Sequence, residues 1–596
     1  MRMTYERFTR SSRGFLRSLL LTGFLLTWLC SVWAAQGPNV IFILIDDLGH
    51  YGVSAYGCNL VQSKDGLFGP TSVSTPNIDR MANEGVRCEY AFALPLCEPT
   101  RVSLMTGKSN MRNFIQSKSL HESEITFSDV FKREGYNTCI VGKWKQSRGT
   151  KEFPGKDYIF KFGWDEFFCF DVIGEGRRFI EPWIVDNGKP HVYNGIDPVT
   201  GRRYYGPDLF NRYALDYIER KAGEAKAGKP FFLYYPMVLV HDEHTPTPDT
   251  KPNSIFDDFD HINKSRYGHM NGDDRRYFPD MIRYADKMIG KTLQKVRDLG
   301  LAENTLVIVM GDNGTKECFD HVLPNGTIYP GGKGMNTDNG LRVPLVLSWP
   351  EKLPKQRVYK GLVNLTDIYP TLMAATGIND PNLSKVDGIS FWPQALGQDV
   401  PHRREIFTWY NGNGSIRNQE KLLVYAHDQQ FKLYAPDQNF PEGRFFDLRN
   451  DPLEESGDKE IKWGYKRNIK SGLNMKQLTE VQIDAHRRLS KVIEANRFQE
   501  LESLKCKAEE MSLKIGEEKQ IQVQLQPASS SRNSLVLKSS DPSIASVDKF
   551  GWVVAHRSGR AVISVYSWHD AYPVSDNGEH EFKTSGMTDQ ITVTVK

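Results

Sequence analysis

Two continuous apolar runs, each ending in a pair of oxygen donors, constrain this chain more than anything else in it. Asn39-Val40-Ile41-Phe42-Ile43-Leu44-Ile45 runs into Asp46-Asp47, and Thr305-Leu306-Val307-Ile308-Val309-Met310 runs through Gly311 into Asp312-Asn313. Neither run alternates polar with apolar, so neither has a solvated face. Each reads as a strand buried on both sides, as in a parallel sheet covered by helices. Carboxylates at the end of such a strand are unfavourable unless they meet a cation. Ligands of open α/β sheets gather beyond the carboxyl ends of the strands, which is where both pairs stand. All four side chains are hard oxygen donors of the kind Ca2+ takes; Mg2+ is compatible with the same donor type.

The intervening chain supplies the rest of an α/β pattern. Thr75 and Pro76 predict a helix start, with Thr75 as cap and Pro76 in the first turn. Helices are expected over Phe127–Glu134, Asp208–Ala227, Phe278–Leu299 and Asp367–Ala375. Strands are expected over Val86–Ala93, Asn137–Val141, Pro230–Val240 and Arg342–Pro350, the third ending at His241. Gly142-Lys143-Trp144-Lys145 follows one strand, and Gly331-Gly332-Lys333-Gly334 makes a turn carrying a lysine. From Arg404 to about Pro452 short strands and turns predict a small antiparallel sheet, closed by an amphipathic helix over Gln477–Phe498. Beyond about residue 500, regularly spaced short strands predict a β-sandwich.

A short stretch gives this frame its chemistry: Leu96-Cys97-Glu98-Pro99-Thr100-Arg101-Val102-Ser103-Leu104-Met105-Thr106-Gly107. Pro99 fits a first helical turn, which places Cys97 just before a helix N-terminus, where free N–H groups and the helix dipole favour an anion. Arg101 lies four residues on, on the same helix face. The C-x-P-x-R string resembles the signature of the type I, formylglycine-dependent sulfatases of the alkaline phosphatase superfamily, over roughly residues 37 to 460. That resemblance implies a fold and a mechanism. The fold is an α/β alkaline-phosphatase-like sandwich with a central, mostly parallel sheet and a smaller antiparallel C-terminal subdomain. In the mechanism Cys97 is oxidised to formylglycine, and one hydroxyl of the aldehyde hydrate attacks the sulfur of a sulfate ester. The second hydroxyl then loses its proton and expels sulfate. By the same resemblance Asp46, Asp47, Asp312, Asn313 and the residue made from Cys97 bind one Ca2+. Arg101, Lys143 and Lys333 hold the sulfate, and His241 protonates the leaving alcohol. The family commonly carries histidine where Lys145 stands, as G-K-W-H, to orient or deprotonate the hydrate, so Lys145 is a departure. The run from Ser539 to Asp548, with Gly551 and Gly559-Arg560-Ala561, is similar to the bacterial Ig-like domain of group 2. The expected organisation is residues 1–35 signal peptide, 36–400 catalytic domain, 401–500 C-terminal subdomain and 506–596 Ig-like domain.

The address is export. Five arginines (Arg2, Arg7, Arg10, Arg13 and Arg17) precede a mostly apolar run from Ser18 to Trp33, and cleavage fits after Ala34 or Ala35. The alternative is an anchor kept in the membrane, but the run is near the lower limit of a spanning helix. A periplasmic, cell-surface or extracellular enzyme is expected, without a stable membrane span. Trp28-Leu29 before Cys30 is a poor lipoprotein site. Of eight cysteines, seven remain without Cys30, and six of these can pair if Cys97 stays free for modification. The net charge of +3 gives no field for nucleic acid. The expected partners are a sulfated polysaccharide or oligosaccharide and a formylglycine-generating or sulfatase-maturing enzyme. Two alternatives share these residues: a phosphodiesterase or phosphonate monoester hydrolase of the same superfamily, and an inactive protein that binds sulfated glycans.

Overall fold

The computed structural model describes the chain apart from residues 1–36, 114–119, 147–155, 173, 175, 253, 258–272, 412–421, 464–466, 572–581 and 585. The expected export signal and Cys30 lie outside the described residues. The strand Asn39–Ile45 is central in an 11-stranded sheet. It pairs in parallel with Phe231–Pro236 on one side and Thr305–Gly311 on the other. Asn137–Lys143 and then Glu166–Phe170 continue the parallel run outward. Antiparallel strands finish both flanks: Leu345–Ser348 against Thr305–Gly311, and Trp183–Asp186 against Glu166–Phe170.

The lack of alternation along Asn39–Ile45 has a direct cause. Ile41, Ile43 and Ile45 enter one core with the helices Gly206–Lys226 and Phe278–Asp298. Val40, Phe42 and Leu44 enter the opposite core with the helices Cys97–Thr106 and Ile368–Thr376. Each of these six side chains is wholly buried and contributes roughly 2 kcal/mol by burial of apolar area.

Three expectations are corrected. The strand expected over Pro230–Val240 ends at Pro236, and Met237 to Val240 are buried but irregular. Hydropathy alone does not separate a buried loop from a strand. The expected strand Arg342–Pro350 is divided at Pro344, which has no N–H for the ladder, into Arg342–Val343 and Leu345–Ser348. Thr75 precedes the helix Pro76–Asn83, but its hydroxyl does not cap the backbone; it donates to Asp79 Oδ1 at 3.1 Å.

The strands Ile406–Asn411, Leu422–His427, Phe431–Tyr434 and Arg444–Asp447 form the expected antiparallel sheet, backed by the helix Glu480–Ala495. The last region is all-β, with Glu510–Leu513, Thr588–Val595, Gly559–Ser567 and Leu535–Ser539 in one sheet and Glu518–Gln520, Trp552–Ala555 and Ala545–Val547 in another. This β-sandwich is seated on the α/β domain through polar contacts. Lys108 Nζ donates to Glu124 Oε2 at 2.7 Å and to Ser534 Oγ at 3.3 Å, and Ser534 Oγ donates to Glu124 Oε1. Lys549 Nζ reaches Asp129 Oδ2 at 2.9 Å and the Glu124 carbonyl oxygen at 3.1 Å. Arg133 lies over the rings of Phe550 and Trp552.

Candidate active site

The register of the sheet brings the two oxygen-donor pairs together. Ile45 pairs with Gly311, so the chain continues on both strands into Asp46 and Asp312 at one edge. Asp312 N donates to the Ile45 carbonyl, and Asp46 N donates to the carbonyl of Leu239. Asp47 turns into the left-handed region at φ 59°, a conformation aspartate tolerates, and its N–H donates to Asp312 Oδ1 at 2.9 Å. Asn313 Nδ2 donates to Asp47 Oδ1 at 2.9 Å. One oxygen each from Asp46, Asp47 and Asp312 lie within 4.8 Å of one another, all buried.

The helix begins at Cys97 itself, with Leu96 in extended geometry as its cap, so Cys97 is the first helical residue and not the one before it. Its thiol faces the carboxylates: ligand atoms of Cys97, Asp46 and His241 lie within 4.8 Å of one another. Arg101 is fully buried, with Nη2 2.9 Å from Asp312 Oδ2 and Nη1 donating to the Lys143 carbonyl. Lys143 ends its strand and donates to Asp46 Oδ2, 3.5 Å from the Cys97 sulfur. That approach depends on Gly142 at φ 122°, where a Cβ would stand 2.0 Å from the Pro236 carbonyl oxygen. Lys333 donates to Asp47 Oδ2 and stands 3.0 Å from His241 Nε2. Lys145 follows two residues after Lys143, half-buried and left-handed at φ 49°.

Burial alone would raise all three carboxyl groups. Lys143, His241 and Arg101 instead hold Asp46 well below the ordinary range, and His241 and Lys333 lower Asp47. Asp312 goes the other way: burial, with Asp46 beside it, pushes it up to about 7 against Arg101. Burial raises the Cys97 thiol, with Lys143 opposing, so the encoded cysteine is held as a neutral thiol and a weak nucleophile. Burial brings His241 down to about 4, opposed by Asp47 and assisted by Lys333.

The residues fit a divalent cation. Asp46 Oδ1 and Asn313 Oδ1 are buried and accept no hydrogen bond, although they lie among lysines and an arginine. Acceptors left in this state are rare in native interiors and point to an ion. Three acidic side chains and a carboxamide supply oxygen only, as Ca2+ requires.

Sequence reasoning missed two neighbours of His241 and the lysine paired with one of them. Asp242 Oδ1 lies 2.6 Å from His241 Nδ1, and Arg178 Nη1 lies 3.0 Å from the same nitrogen. Lys316 Nζ donates to Asp242 Oδ2 at 2.7 Å. The adjacency of Asp242 to His241 was a usable signal. Arg178 gave none, since only the fold returns residue 178 to residue 241. The pairing left open for six cysteines is not formed: Cys58, Cys88, Cys139, Cys169, Cys318 and Cys506 are free thiols, as is Cys97.

Comparison with known proteins agrees with this geometry. The Sulfatase family model matches residues 38–378, that of the N-sulphoglucosamine sulphohydrolase C-terminal region matches 332–483, and that of the group 2 bacterial Ig-like domain matches 501–569. The N-acetylgalactosamine-6-sulfatase of Homo sapiens is 29% identical over 412 residues, spanning 64% of this chain and 69% of the relative. That of Canis lupus familiaris is 28% identical over 412 residues, spanning 64% and 70%. Among solved structures, one protein in complex with its substrate D-glucosamine-2-N,6-O-disulfate aligns with a TM-score of 0.57 and 19% identity, over 77% of this chain and 99% of that one. A sulfatase from Pseudoalteromonas sp. aligns with a TM-score of 0.51 and 21% identity, over 75% and 90%. At these identities the structural likeness speaks for the fold.

Proposed function

The chain belongs to the sulfatase family and is a sulfuric ester hydrolase, and from that premise we propose an exported enzyme that desulfates polysaccharides or oligosaccharides with a formylglycine made from Cys97. The observation that carries the reading is the position of the Cys97 sulfur. It heads a buried helix, 3.5 Å from the Lys143 ammonium and beside the Asp46 carboxylate, yet the thiol is kept neutral. That is a poor setting for a cysteine nucleophile and a fitting one for the precursor of another group. When formed, the aldehyde hydrate supplies two hydroxyls on one carbon, so the oxygen that attacks sulfur is later released by its neighbour.

Asp46, Asp47, Asp312 and Asn313 would hold one divalent cation, Ca2+ by donor type, whose charge would polarise oxygens beside it. Lys143, Lys333 and Arg101 surround the place where a sulfate would lie and stabilise its charge as the ester bond breaks. The ammonium groups that rest on Asp46 and Asp47 are the same groups that would turn to the sulfate when a cation takes those carboxylates. His241 faces this space through Nε2 and gives its proton to the departing alcohol oxygen; an anionic substrate favours the protonated imidazole. Lys145 acts as an electrostatic contact to the hydrate or the sulfate. Sugar sulfates are supported by the relatives, among them enzymes for N-acetylgalactosamine 6-sulfate and a structure holding a disulfated glucosamine. The arginines and apolar run before residue 36 support export, and a maturing enzyme is the partner that Cys97 requires.

Peptide mass spectrometry of native protein tests the reading. The peptide with Cys97 should have lost its sulfur and should label with aldehyde-reactive probes, and Cys97→Ala should abolish turnover of a small aryl sulfate. Full activity with an intact thiol would refute it.

A further inference from the structure

No regular element holds His241. Its strand ends at Pro236, and Met237 to Val240 lead to it as irregular chain. The last torsion of a histidine side chain is broad, so the aim of the ring comes from what it touches. Its two nitrogens face different surroundings. Nε2 lies 3.0 Å from Lys333 Nζ and 3.6 Å from Asp47 Oδ2, toward the space where the sulfate would lie. Nδ1 lies 2.6 Å from Asp242 Oδ1 and touches the Asp242 carbonyl oxygen, with Arg178 Nη1 at 3.0 Å.

These contacts assign the ring's protons. An ionised carboxylate only accepts, and two lone pairs do not face each other at 2.6 Å, so Nδ1 donates to Asp242. Burial would raise the Asp242 carboxyl, but His241 beside it holds it well below the ordinary range. Arg178 then lies beside this pair as a charge. Lys333, which only donates, faces Nε2, so that nitrogen is the one that gains and loses a proton.

Asp242 is held in turn by Lys316 Nζ, which donates to its Oδ2 at 2.7 Å. The other carboxylate near Lys316 is Asp273, at 3.9 Å, and it lies 2.7 Å from His244 Nδ1. Lys316 stands four residues after Asp312, on the loop that carries the metal-ligand pair Asp312-Asn313. That loop is pinned. Thr315 Oγ1 accepts from Gly49 N at 3.1 Å, and the Thr315 carbonyl accepts from Lys333 N at 2.9 Å. Gly314 lets the loop pass close to its neighbour, since a Cβ there would stand 2.0 Å from the Asn339 carbonyl oxygen.

We propose that Asp242 and Lys316 are positioning residues for sulfate-ester hydrolysis, aiming His241 Nε2 at the leaving oxygen from the same loop that carries Asp312 and Asn313. This rests on the reading of His241 as the proton donor. As the nucleophile's bond to sulfur forms, the ester S–O bond breaks. Its electron pair stays on the alcohol oxygen, which takes the Nε2 proton. The Nδ1 proton stays on the ring, still donated to Asp242. A ring free to turn would present either nitrogen to the ester. A leaving group that is a weak acid depends on this proton most, and a sugar hydroxyl is a far weaker acid than a nitrophenol.

The test compares two esters on the matured full-length chain. 4-Nitrophenyl sulfate releases a stabilised anion, whereas phenyl sulfate releases a stronger base that needs the proton more. Asp242→Asn keeps the shape of the side chain and should lower kcat/KM for phenyl sulfate roughly 10^2-fold, the low end of general acid catalysis, with a loss about tenfold smaller for 4-nitrophenyl sulfate. Lys316→Ala should show the same preference at about tenfold for phenyl sulfate, the scale of one hydrogen bond to a charged group. In a His241→Ala background Asp242→Asn should change neither ester further, because the two side chains act as one unit. Thermal unfolding checks that each variant folds. Equal losses for the two esters in Asp242→Asn, or an undiminished effect of that change without His241, would mark a merely structural role and overturn the proposal. Absence of the preference in Lys316→Ala would overturn the link to the metal-ligand loop. Equal losses for the two esters in His241→Ala itself would instead refute His241 as the proton donor, so the two failures are distinct.

Discussion

Two of the places where the chain buries charge are built differently. At the domain junction Lys108, Glu124 and Ser534 close on one another, and both carboxylate oxygens of Glu124 have donors. In the active site Asp46, Asp47 and Asp312 lie among Arg101, Lys143 and Lys333, with as many cations as carboxylates, yet Asp46 Oδ1 and Asn313 Oδ1 accept nothing. A satisfied network fixes how two surfaces meet. A network with orphaned acceptors is incomplete without a ligand. The difference is visible in hydrogen-bond satisfaction and invisible in charge count.

The largest effect that could break this contrast is at Asp312. Asp312→Ala should lose the bound divalent metal and lower turnover roughly 10^3-fold or more, since a metal contributes several kcal/mol to the transition state. Metal analysis that still finds one ion per chain would mean these oxygens are satisfied some other way. Next is Lys145. Lys145→Ala should lower kcat roughly 10^2-fold, the scale of one lost electrostatic contact, while the pH–rate profile under saturating substrate keeps its shape. Loss of an ionisation from the rising limb would make Lys145 the proton acceptor instead.

At the junction the expected effect falls on stability. Glu124→Ala leaves Lys108 buried without its carboxylate and should destabilise the protein by about 3 kcal/mol in denaturant titrations, with no dependence on added Ca2+. A Ca2+-dependent change would join the two networks that the structure separates. Smallest is the effect of removing the β-sandwich. A chain ending near Lys505 frees Lys108 and Glu124 to water together, as a pair, and should still hydrolyse a small aryl sulfate. A truncated protein that folds yet is inactive would show that the junction belongs to the catalytic machinery.

The legible parts of the site were those where local pattern and chemistry coincide. Asp46-Asp47 and Asp312-Asn313 stand out because polar pairs end apolar runs, and Cys97 because of its string. What stayed hidden depends on distant chain returns. Arg178 reaches His241 across 63 positions, and Lys108 finds Ser534 across 426. No local pattern encodes either contact, and a polar residue buried by a partner domain reads as a surface residue. The α/β and antiparallel regions were readable for the opposite reason, since period and turn chemistry act within a few residues. Met237 to Val240 show the limit, being apolar because they are buried and not because they pair.

The place of Asn39–Ile45 in the sheet sets a timetable for biogenesis. It is the first strand of the sheet to leave the ribosome, and its partners lie far downstream: Val40 pairs with Phe232, and Asn39 with Thr305, 266 positions later. At about 5–20 residues per second, the second partner is synthesised on the order of ten to fifty seconds after the first strand. Both ladder edges of these seven residues with two apolar faces stay open until Phe231–Pro236 is made, and one stays open until Thr305 follows. Whatever holds the nascent chain must therefore shield this segment before any of the enzyme's chemistry can exist.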